Sequence, residues 1–310
     1  ICVEENLNLF SDIQYKEEYG STISINSTQH KFNIKTNRNK VIKNIYIKYS
    51  SIFDRSNIKE IVLNYKVEEK LNNLQDKPAG EEWININHPE ILVKEGRFLS
   101  FKNKLVFLKE DIILPKGTEL RMLPGTKIFL DKGVSIISYG SITAIGEKNN
   151  KIEFLPLGES PWGSVAMIGK DSTNKFNYCT FAGGSGKYSQ GKYFSAMLSG
   201  HEVNDIRISN CLFKNSVIAN GGDDAVNIKK SYVLIDNSKF IGNGGDAIDF
   251  DFVDNNSRIT NSQFINNGKD AIDLSSSNVY LSNIEIVSSG DKGLSVGEKS
   301  YVYSDNFRIS

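Results

Sequence analysis

A short pattern of apolar and polar positions repeats through the last third of the chain, from about residue 203 to residue 310. Each copy begins with an Asn, and a Phe or Ile stands three positions later. The copies are Asn210-Cys-Leu-Phe213, Asn237-Ser-Lys-Phe240, Asn261-Ser-Gln-Phe264, Asn283-Ile-Glu-Ile286 and Asn306-Phe-Arg-Ile309. The Asn residues are 27, 24, 22 and 23 positions apart. Most of them follow alternating apolar residues, which predicts one β-strand in each copy.

A second motif follows the first and keeps the same phase. It consists of Gly or Asp residues and then two apolar positions separated by a polar one: Gly222-Asp-Asp-Ala-Val226-Asn-Ile228, Gly245-Asp-Ala-Ile248-Asp-Phe250, Lys269-Asp-Ala-Ile272-Asp-Leu274 and Asp291-Lys-Gly-Leu294-Ser-Val296. A period of about 23 residues, built of short strands, is typical of a solenoid. Helical and leucine-rich repeats need patterns that are not present. The sequence therefore predicts a parallel β-helix with one turn per repeat.

Residues that share a position in successive repeats are expected to stack about 4.8 Å apart, in columns along the solenoid. Alternation places the apolar columns inside, and one interior column is predicted to contain Phe181, Phe213, Phe240, Phe264, Ile286 and Ile309. The Asn column is also predicted to point inward, where side-chain amides would hydrogen-bond from turn to turn. Cys179 and Cys211 stand two positions before column Phe residues, so we expect stacked free thiols.

The repeat does not extend to the first part of the chain. Residues 1–85 contain alternating runs at 22–26, 43–49 and 60–65, which are typical of a small antiparallel β-sandwich-like domain. Residues 86–310 are assigned to the β-helix, so the predicted fold is all-β with a boundary near residue 85. The chain stops in mid-strand at Ser310. We therefore expect a truncated β-helix, with the rest of a longer polypeptide as its partner.

One repeat contains an insertion. Phe181 and Phe213 are 32 positions apart, and the extra residues form a Gly- and Ser-rich loop that carries Tyr188, Tyr193 and Phe194. Loops on solenoids build binding surfaces, and aromatic side chains can stack on sugar rings. The same composition is equally consistent with a mobile loop, and both interpretations stay open.

The overall composition argues against several classes of protein. Lys plus Arg and Asp plus Glu each number 37, and the net charge of zero argues against a nucleic-acid partner. No apolar run is long enough for a membrane span. Three Cys do not imply a disulfide framework. Nucleophile-elbow, zinc and phosphate-loop motifs are not found. Carboxylates are therefore the main candidates for chemistry.

Acidic residues form two columns beside the second motif. One column, predicted to point outward, contains Asn227, Asp249, Asp273 and Ser295, and the column just before it contains Asp224, Asp246 and Asp270. Asp249 and Asp273 are expected to lie one strand spacing apart. Two like charges at that separation are unfavourable unless something compensates them.

Three forms of compensation stay open. The structural one is that turn Asp residues bind backbone amides, while the outward ones are solvated and balanced by nearby Lys. The second is calcium, the one cofactor considered, with Asp246, Asp249 and Asp273 as oxygen ligands. The third is catalysis by Asp249 and Asp273, because two carboxyls about 5 Å apart suit retaining glycoside hydrolysis. Candidate ligand-binding residues are Asp224, Asp246, Asp270, Tyr188 and Tyr193.

The repeats over about residues 95–310 resemble the right-handed parallel β-helix superfamily that includes pectate lyases. That resemblance implies a right-handed solenoid and a polysaccharide ligand. Gly222-Asp-Asp224 is similar to the Gly-Asp-Asp of polygalacturonases, but the other motifs of that family are missing. No catalytic role is therefore transferred.

A narrower resemblance concerns the end of the chain. The strings Asp246-Ala-Ile-Asp-Phe250, Asp270-Ala-Ile-Asp-Leu274 and Gly290-Asp-Lys-Gly-Leu-Ser-Val-Gly-Glu-Lys-Ser300 resemble the β-helix region that accompanies CotH-type kinase domains in bacterial envelope proteins. This implies an extracytoplasmic location and a place in a larger protein.

Two functions follow from the sequence. The first is a module that binds or scaffolds surface polysaccharide without catalysing a reaction, which fits the missing catalytic motifs. The alternative is a calcium-assisted polysaccharide lyase or glycoside hydrolase that uses the outward Asp residues. Whether the chain is an enzyme stays open.

Overall fold

The computed structural model describes residues 88–94, 97–189, 191–219 and 223–310, with three strands nearer the N-terminus. The chain divides into two compact units, Ile1–Asp76 and Lys77–Ser310. In the first unit, β1 (Cys2–Glu4), β2 (Asn44–Ser51) and β3 (Asp54–Leu63) form an antiparallel sheet in that order. The predicted strand at 22–26 and the boundary near residue 85 lie outside the described residues, and the boundary stays a prediction.

The second unit is a solenoid of about nine turns, and its described part contains strands but no helix. The predicted all-β class and parallel β-helix are therefore confirmed. Most turns have three strands, which stack into three walls of parallel strands. Wall 1 contains β7 (Ile112–Leu114), β10 (Ile136–Ser138), β13 (Val165–Ile168), β18 (Ala196–His201), β21 (Asp224–Lys229), β24 (Ile248–Asp251), β27 (Ile272–Ser275) and β29 (Leu294–Val296).

Walls 2 and 3 are the two halves of one larger sheet. Wall 2 contains β5 (Phe98–Phe101), β8 (Glu119–Met122), β11 (Ser141–Ile145), β14 (Thr173–Asn177), β19 (Asp205–Ser209), β22 (Val233–Asp236) and β25 (Ser257–Thr260). Wall 3 contains β6 (Leu105–Leu108), β9 (Lys127–Leu130), β12 (Ile152–Pro156), β15 (Cys179–Ala182), β20 (Leu212–Lys214), β23 (Lys239–Ile241) and β26 (Gln263–Asn267). Two long strands, β28 (Asn278–Ser289) and β30 (Tyr301–Ile309), run through both walls.

Three strands lie outside this scheme. At the start of the solenoid, β4 (Ile91–Lys94) pairs antiparallel with β5. The insertion in the sequence forms an antiparallel hairpin of β16 (Lys187–Ser189) and β17 (Lys192–Phe194). Within the described residues, no helix is long and apolar enough to cross a membrane.

A column of phenylalanines runs through the core, as predicted. The rings of Phe181, Phe213, Phe240 and Phe264 are stacked in sequence, with centroids 4.8, 5.0 and 4.8 Å apart and planes within 5° of parallel. Phe154 extends the stack by one turn, with a centroid distance of 4.5 Å to Phe181. All of these rings are completely buried. The centroid distances follow the strand spacing and lie in the range of offset aromatic stacking, so each ring packs on the next.

The end of this column departs from the prediction. Ile286 is completely buried, whereas Ile309 pairs in register with Ile286 but is 54% exposed. No described strand stacks beyond β30, so Ile309 is covered on one side only. Ile309 therefore keeps its predicted place in the column, but it is only partly covered.

The residues of the Asn column lie at the corner where the chain passes from wall 2 to wall 3. Asn237, Asn261 and Asn283 have φ values of 44°, 50° and 53°, a left-handed conformation that Asn adopts more readily than most residues. This conformation turns the side chains outward, so the predicted inward orientation is wrong. The predicted contacts between turns do exist: Asn283 Nδ2 donates to Asn261 Oδ1 over 2.9 Å, and Asn306 Nδ2 donates to Asn283 Oδ1 over 2.8 Å.

Cys179 and Cys211 are free and buried, in agreement with the prediction. Adjacent residues Thr180 and Leu212 are register partners, so the two Cys occupy neighbouring places in one column. The next turn carries Ser238, whose Oγ accepts a hydrogen bond from the Cys211 backbone N–H over 3.2 Å. This column therefore connects consecutive turns.

Candidate functional site

Polar side chains cover part of the outer surface of wall 1. They point outward because the alternate residues Val226, Ile248 and Ile272 are completely buried in the core. One outward column contains Ser199, Asn227, Asp249, Asp273 and Ser295, in register. A second column, two positions later, contains His201, Lys229, Asp251 and Ser275. Asp249 and Asp273 are direct register partners, as the sequence predicts.

We call the carboxylates here the acidic face: Asp223, Asp224, Asp246, Asp249, Asp251, Asp270 and Asp273. Part of this face has a structural role. Asp224 Oδ1 accepts a hydrogen bond from the backbone N–H of Asp246 over 3.1 Å, and Asp246 Oδ1 accepts from Asp270 over 2.8 Å. Asp270 Oδ1 accepts from the N–H of Lys292 over 2.7 Å. These turn carboxylates bind backbone amides, as the structural interpretation expects.

Three lysines pair with the acidic face. Lys229 Nζ lies 2.9 Å from Asp251 Oδ2, Lys292 Nζ lies 3.7 Å from Asp270 Oδ2, and Lys269 Nζ contacts Asp223 Oδ2. The remaining carboxylates have no Lys or Arg within ion-pair distance in the described part of the chain: Asp224, Asp246, Asp249 and Asp273. Four of the seven carboxyls of the acidic face therefore have no ion-pair partner among the described residues.

Burial and mutual repulsion raise the pKa values of three of these carboxyls. Burial, followed by the Asp249 and Asp223 carboxylates, raises the pKa of Asp224 to about 8. Burial and the adjacent Asp251 raise the pKa of Asp249 to about 7. Burial raises the pKa of Asp246 to about 6. These groups therefore exchange protons near neutral pH, which is unusual for Asp.

A hydrogen-bonded chain links His201 to Asp249. Asn227 is completely buried, and its Nδ2 donates to Asp249 Oδ2 over 2.5 Å. Its Oδ1 lies 3.1 Å from His201 Nε2 and can only accept, so His201 Nε2 carries a proton. Burial lowers the pKa of His201 to about 4. The imidazole is therefore neutral at physiological pH.

The inserted hairpin, β16–β17, is anchored on wall 1. Phe194 is completely buried and packs with Ile137 and Ala166 on the outer side of the wall. Its ring centroid lies 4.9 Å from that of His201. Lys187 Nζ lies 2.6 Å from Asp111 Oδ2 and donates to Gly133 O over 2.9 Å. These contacts anchor both strands of the hairpin, which argues against a mobile loop. Sugar binding by this hairpin stays a prediction.

Two tyrosines project from this hairpin. Tyr188 and Tyr193 are register partners and are 58% and 37% exposed. Burial and the nearby carboxylates of Asp223 and Asp224 raise the pKa of Tyr193 to about 12. Tyr193 therefore lies beside the acidic face, and Tyr188 adjoins it on the hairpin.

A comparison with protein families agrees with this architecture. Residues 146–309 match the family described as "Right handed beta helix region". The chain belongs to this family. Among solved structures, a mutant of the periplasmic alginate epimerase AlgG is similar at 13% sequence identity and a TM-score of 0.29. The alignment covers 68% of this chain and 62% of that one, so it spans less than two thirds of the epimerase. No curated protein sequence matches the chain.

The metal prediction for this right-handed β-helix gains no geometric support. Within residues 88–94, 97–189, 191–219 and 223–310, no group of three or more His, Cys, Asp or Glu side chains is arranged to hold a metal ion. Asp246, Asp249 and Asp273 are therefore not brought together as a calcium cage. Calcium binding by these residues stays a prediction.

The structure brings several of the sequence-predicted residues together and adds two that the sequence analysis did not single out. The β-helix register brings Asp249 and Asp273 together, and the hairpin brings Tyr193 to Asp224. His201 belongs to no sequence motif that we recognised, and Asn227 was predicted only as an outward residue. The sequence signal for Asn227 was that it holds the same position in its repeat as Asp249 does in the next one. The contact with His201 depends on a turn of irregular length.

Proposed function

We propose that this chain is an extracytoplasmic module that binds polysaccharide on the outer surface of wall 1, between the β16–β17 hairpin and the acidic face. The resemblance to regions beside CotH-type kinase domains extends the proposal to a role within a larger envelope protein. Membership of the right-handed β-helix family supports a solenoid scaffold but does not specify a ligand.

One observation carries this proposal: two exposed tyrosines adjoin a surface of hydrogen-bonding groups. Tyr188 and Tyr193 offer apolar ring faces, and their hairpin is anchored by Phe194 and Lys187. An anchored aromatic side chain loses little conformational entropy when a ligand binds. Sugars combine apolar ring faces with hydroxyl groups, so a rigid aromatic beside carboxylates and amides suits them.

Glycan affinity measurements test the proposal. The purified chain is titrated with neutral, acidic and amino-sugar polysaccharides, and binding is followed by calorimetry. For a glycan that binds, we expect Tyr188→Ala to weaken affinity by roughly three- to tenfold, as for removal of one aromatic contact. Tyr188→Phe keeps the ring and is the matched control. Tyr303→Ala removes a tyrosine that is 67% exposed on wall 2 and controls for general surface effects. Equal affinities for all four proteins contradict the proposal.

A second function is favoured by the paired carboxyls of Asp249 and Asp273. They are register partners, and the pKa of Asp249 is raised to about 7, near the value that suits an acid or base at neutral pH. Two carboxyls at this separation also fit retaining glycoside hydrolysis. In this alternative, Asp249 supplies or accepts the proton, and Asp273 is the nucleophile.

Product analysis separates this enzyme from a binding module. Glycans that bind are incubated with the chain, and new reducing ends or unsaturated products are measured. Asp249→Asn and Asp273→Asn should each abolish turnover while leaving the Tyr188-dependent binding in place. Turnover that survives both changes excludes this mechanism, and binding without any turnover leaves the module as the function.

A further inference from the structure

A long apolar column runs along the outer surface of wall 3. Alternate residues of these strands form the buried Phe column, so the residues between them point outward. One outward column continues in register through eight turns, and six of these turns contribute a large apolar side chain: Phe107, Phe129, Leu155, Ile241, Ile265 and Val287. An outward column of wall 2 contains Lys175, Arg207 and Arg258 instead. The solenoid itself therefore does not require apolar residues on its outside.

This apolar column is accessible to solvent. Phe107 is 55% exposed, and the other five side chains are half-buried. At one strand spacing per turn the column is about 34 Å long, and strands of four residues make the wall about 13 Å wide. Exposed apolar surfaces of this size mark interaction sites. Two such faces in contact bury on the order of 1,000 Å², at the lower end for a specific protein interface. A concentration-dependent homodimer fits this area.

A second outward column of wall 3 determines how two copies of the chain can meet. It contains the charged residues Lys127, Glu153, Lys239 and Glu285. A closed dimer has a two-fold axis, which lies in the plane of a face-to-face contact. If this axis runs along the solenoid, the apolar column of each copy faces the charged column of the other. If it runs along the strands, the solenoids are antiparallel and the apolar columns face each other. Of these two arrangements, only the antiparallel one buries apolar surface against apolar surface.

The charged column is complementary to itself in one antiparallel register. When Leu155 lies opposite Ile241 of the second copy, Glu153 lies opposite Lys239 of the second copy, because each charged residue stands two positions before its apolar neighbour in the same strand. The two-fold axis repeats this pair, so the interface gains two ion pairs. Lys239 is exposed and makes no ion pair with any described residue of its own chain. It is therefore available for this contact.

Shifting the register by one turn in either direction brings like charges together. In one direction, Lys127 comes to lie opposite Lys239 of the second copy. In the other direction, Lys214, the one charged residue of the apolar column, comes to lie opposite Lys214 of the second copy. In the register above, Lys214 lies opposite Ala182 instead. Facing like charges oppose binding, so the charges favour this register over its neighbours.

From this column and these charges we propose that wall 3 is the interface of a homodimer in which two copies pack face to face with antiparallel solenoids. The contact pairs Leu155 with Ile241, Phe129 with Ile265 and Glu153 with Lys239 of the second copy. The acidic face and the β16–β17 hairpin lie on wall 1, so the dimer is independent of the proposed glycan binding.

Sedimentation velocity of the full chain tests the dimer directly. Between about 1 and about 200 µM, the range in which a small interface becomes occupied, the mass should rise from that of one chain, 34.7 kDa, towards twice that value. A chain that stays monomeric over this range overturns the proposal, and so does growth beyond the dimer, because a two-fold contact is closed.

Variants assign the dimer to wall 3. Ile265→Lys places an ammonium group in the apolar column and should raise the dissociation constant of the dimer at least about tenfold. Leu234→Lys is the matched control, because Leu234 is an outward, half-buried apolar residue of wall 2. It should change the dissociation constant by less than about twofold. Circular dichroism confirms that both variants are folded. Equal effects of the two variants show that the interface lies elsewhere.

A charge reversal gives a second test that does not disturb the core. Lys239→Glu places a carboxylate opposite Glu153 of the second copy and should weaken the dimer by about threefold or more. Adding Glu153→Lys to the same chain restores opposite charges and should recover most of the lost affinity. A double variant that dimerises no better than Lys239→Glu alone contradicts the pairing of these residues.

Cross-linking tests the antiparallel register. Cys179 and Cys211 are buried, so Cys2→Ser removes the remaining thiol before Leu155→Cys or Ile241→Cys is introduced. Facing sheets pack about 10 Å apart, which suits a short bismaleimide cross-linker. A mixture of the two single-Cys proteins should give a covalent dimer, whereas each protein alone should give little. Efficient cross-linking of the Leu155→Cys protein with itself indicates a parallel arrangement and overturns the proposal.

Discussion

Two columns of the same solenoid respond to stacking in opposite ways. Inside, Phe213 and its neighbours repeat one ring per turn, and each ring contacts the next at about the strand spacing. Outside, Asp249 and Asp273 repeat one carboxylate per turn at the same spacing. The register is identical, yet the rings attract each other and the carboxylates repel each other.

The comparison shows that a solenoid repeats, once per turn, the interactions of the residue type that occupies a column. Each added turn gives an apolar column another favourable contact. It gives a charged column another repulsive pair, unless a neutral residue takes the place of a charged one. The acidic column is interrupted at Asn227, which is neutral and donates to Asp249, and the pKa of Asp249 is raised. Burial is the main cause of this raised pKa, and the Asp251 and Asp273 carboxylates add to it. The repulsion is therefore reduced by the neutral Asn227 and by protonation of Asp249.

The inner column can be broken with Phe213→Ala, for which we expect the largest effect. Phe213 is completely buried between two parallel rings, so its removal should lower the free energy of unfolding by about 3–5 kcal/mol. Urea unfolding followed by circular dichroism measures this change. Phe107→Ala is the control, because Phe107 is 55% exposed and stacks on Phe129 alone. Similar losses for both variants would show that the inner stack has no special contribution.

Repulsion at the acidic face, beside the outer column, should be relieved by Asp224→Asn. The pKa of Asp224 is about 8 in the folded chain and 3.8 in its ordinary state, so between these values the folded chain holds a proton that the unfolded chain has released. Raising the pH from 4 to 8 therefore costs stability. Asp224→Asn should be roughly 2–4 kcal/mol more stable than the parent at pH 8 and about equal to it at pH 3. Urea unfolding at both pH values checks this, and equal stability at pH 8 would refute the raised pKa.

His201 should give a pH dependence of the opposite sign. The pKa of His201 is about 4 in the folded chain and 6.5 in its ordinary state, so on acidification the unfolded chain takes up a proton first. Stability contributed by the neutral ring is present above pH 6.5 and is lost as the pH falls towards 4. In His201→Gln, the loss of stability over this interval should be smaller by about 1–3 kcal/mol. Unfolding curves at pH 7 and pH 4.5 measure it, and parallel losses in the two proteins would contradict it.

The Asn column offers the smallest and most selective test. Asn261 has a φ of 50° and donates from Nδ2 to Asp236 Oδ1 over 2.7 Å. Asn261→Ala loses this hydrogen bond, the one that Asn261 Oδ1 accepts from Asn283 and the tolerance of this conformation, so it should destabilise the chain by about 1 kcal/mol or more. Asn261→Gly keeps the conformational tolerance and should lose less. Thermal unfolding compares them, and equal losses in the two variants would show that the side-chain hydrogen bonds, and not the backbone conformation, determine the effect.

Sequence alone predicted the parts of the fold that depend on period. The spacing of Asn-x-x-Phe assigned Phe240 and Phe264 to one interior column, and the phase of the second motif placed Asp249 beside Asp273. Both predictions follow because one repeat makes one turn of the solenoid. Residues at the same position in successive repeats therefore lie above one another. The orientation of Asn261 could not be obtained in this way. Alternation assigns sides within a strand, but a left-handed residue at a corner reverses the side.

The site was predictable only in part, because its most telling contacts cross irregular segments. Phe194 lies in an insertion, and its packing on Ala166 and contact with His201 depend on how that insertion folds back on wall 1. The burial of Asn227 and the raised pKa of Asp224 follow from the same crowding. No period in the sequence encodes these contacts, so they required the three-dimensional structure.

The turn aspartates also give the solenoid a direction. Each carboxylate belongs to one turn and holds a backbone amide of the following turn, as Asp224 holds Asp246 and Asp246 holds Asp270. Peeling away the later turn frees a carboxylate, which water hydrates readily. If the earlier turn is pulled away, a backbone amide beside the core loses its hydrogen-bond acceptor. Mechanical force should therefore unwind these turns more easily from the higher-numbered side than from the lower-numbered side.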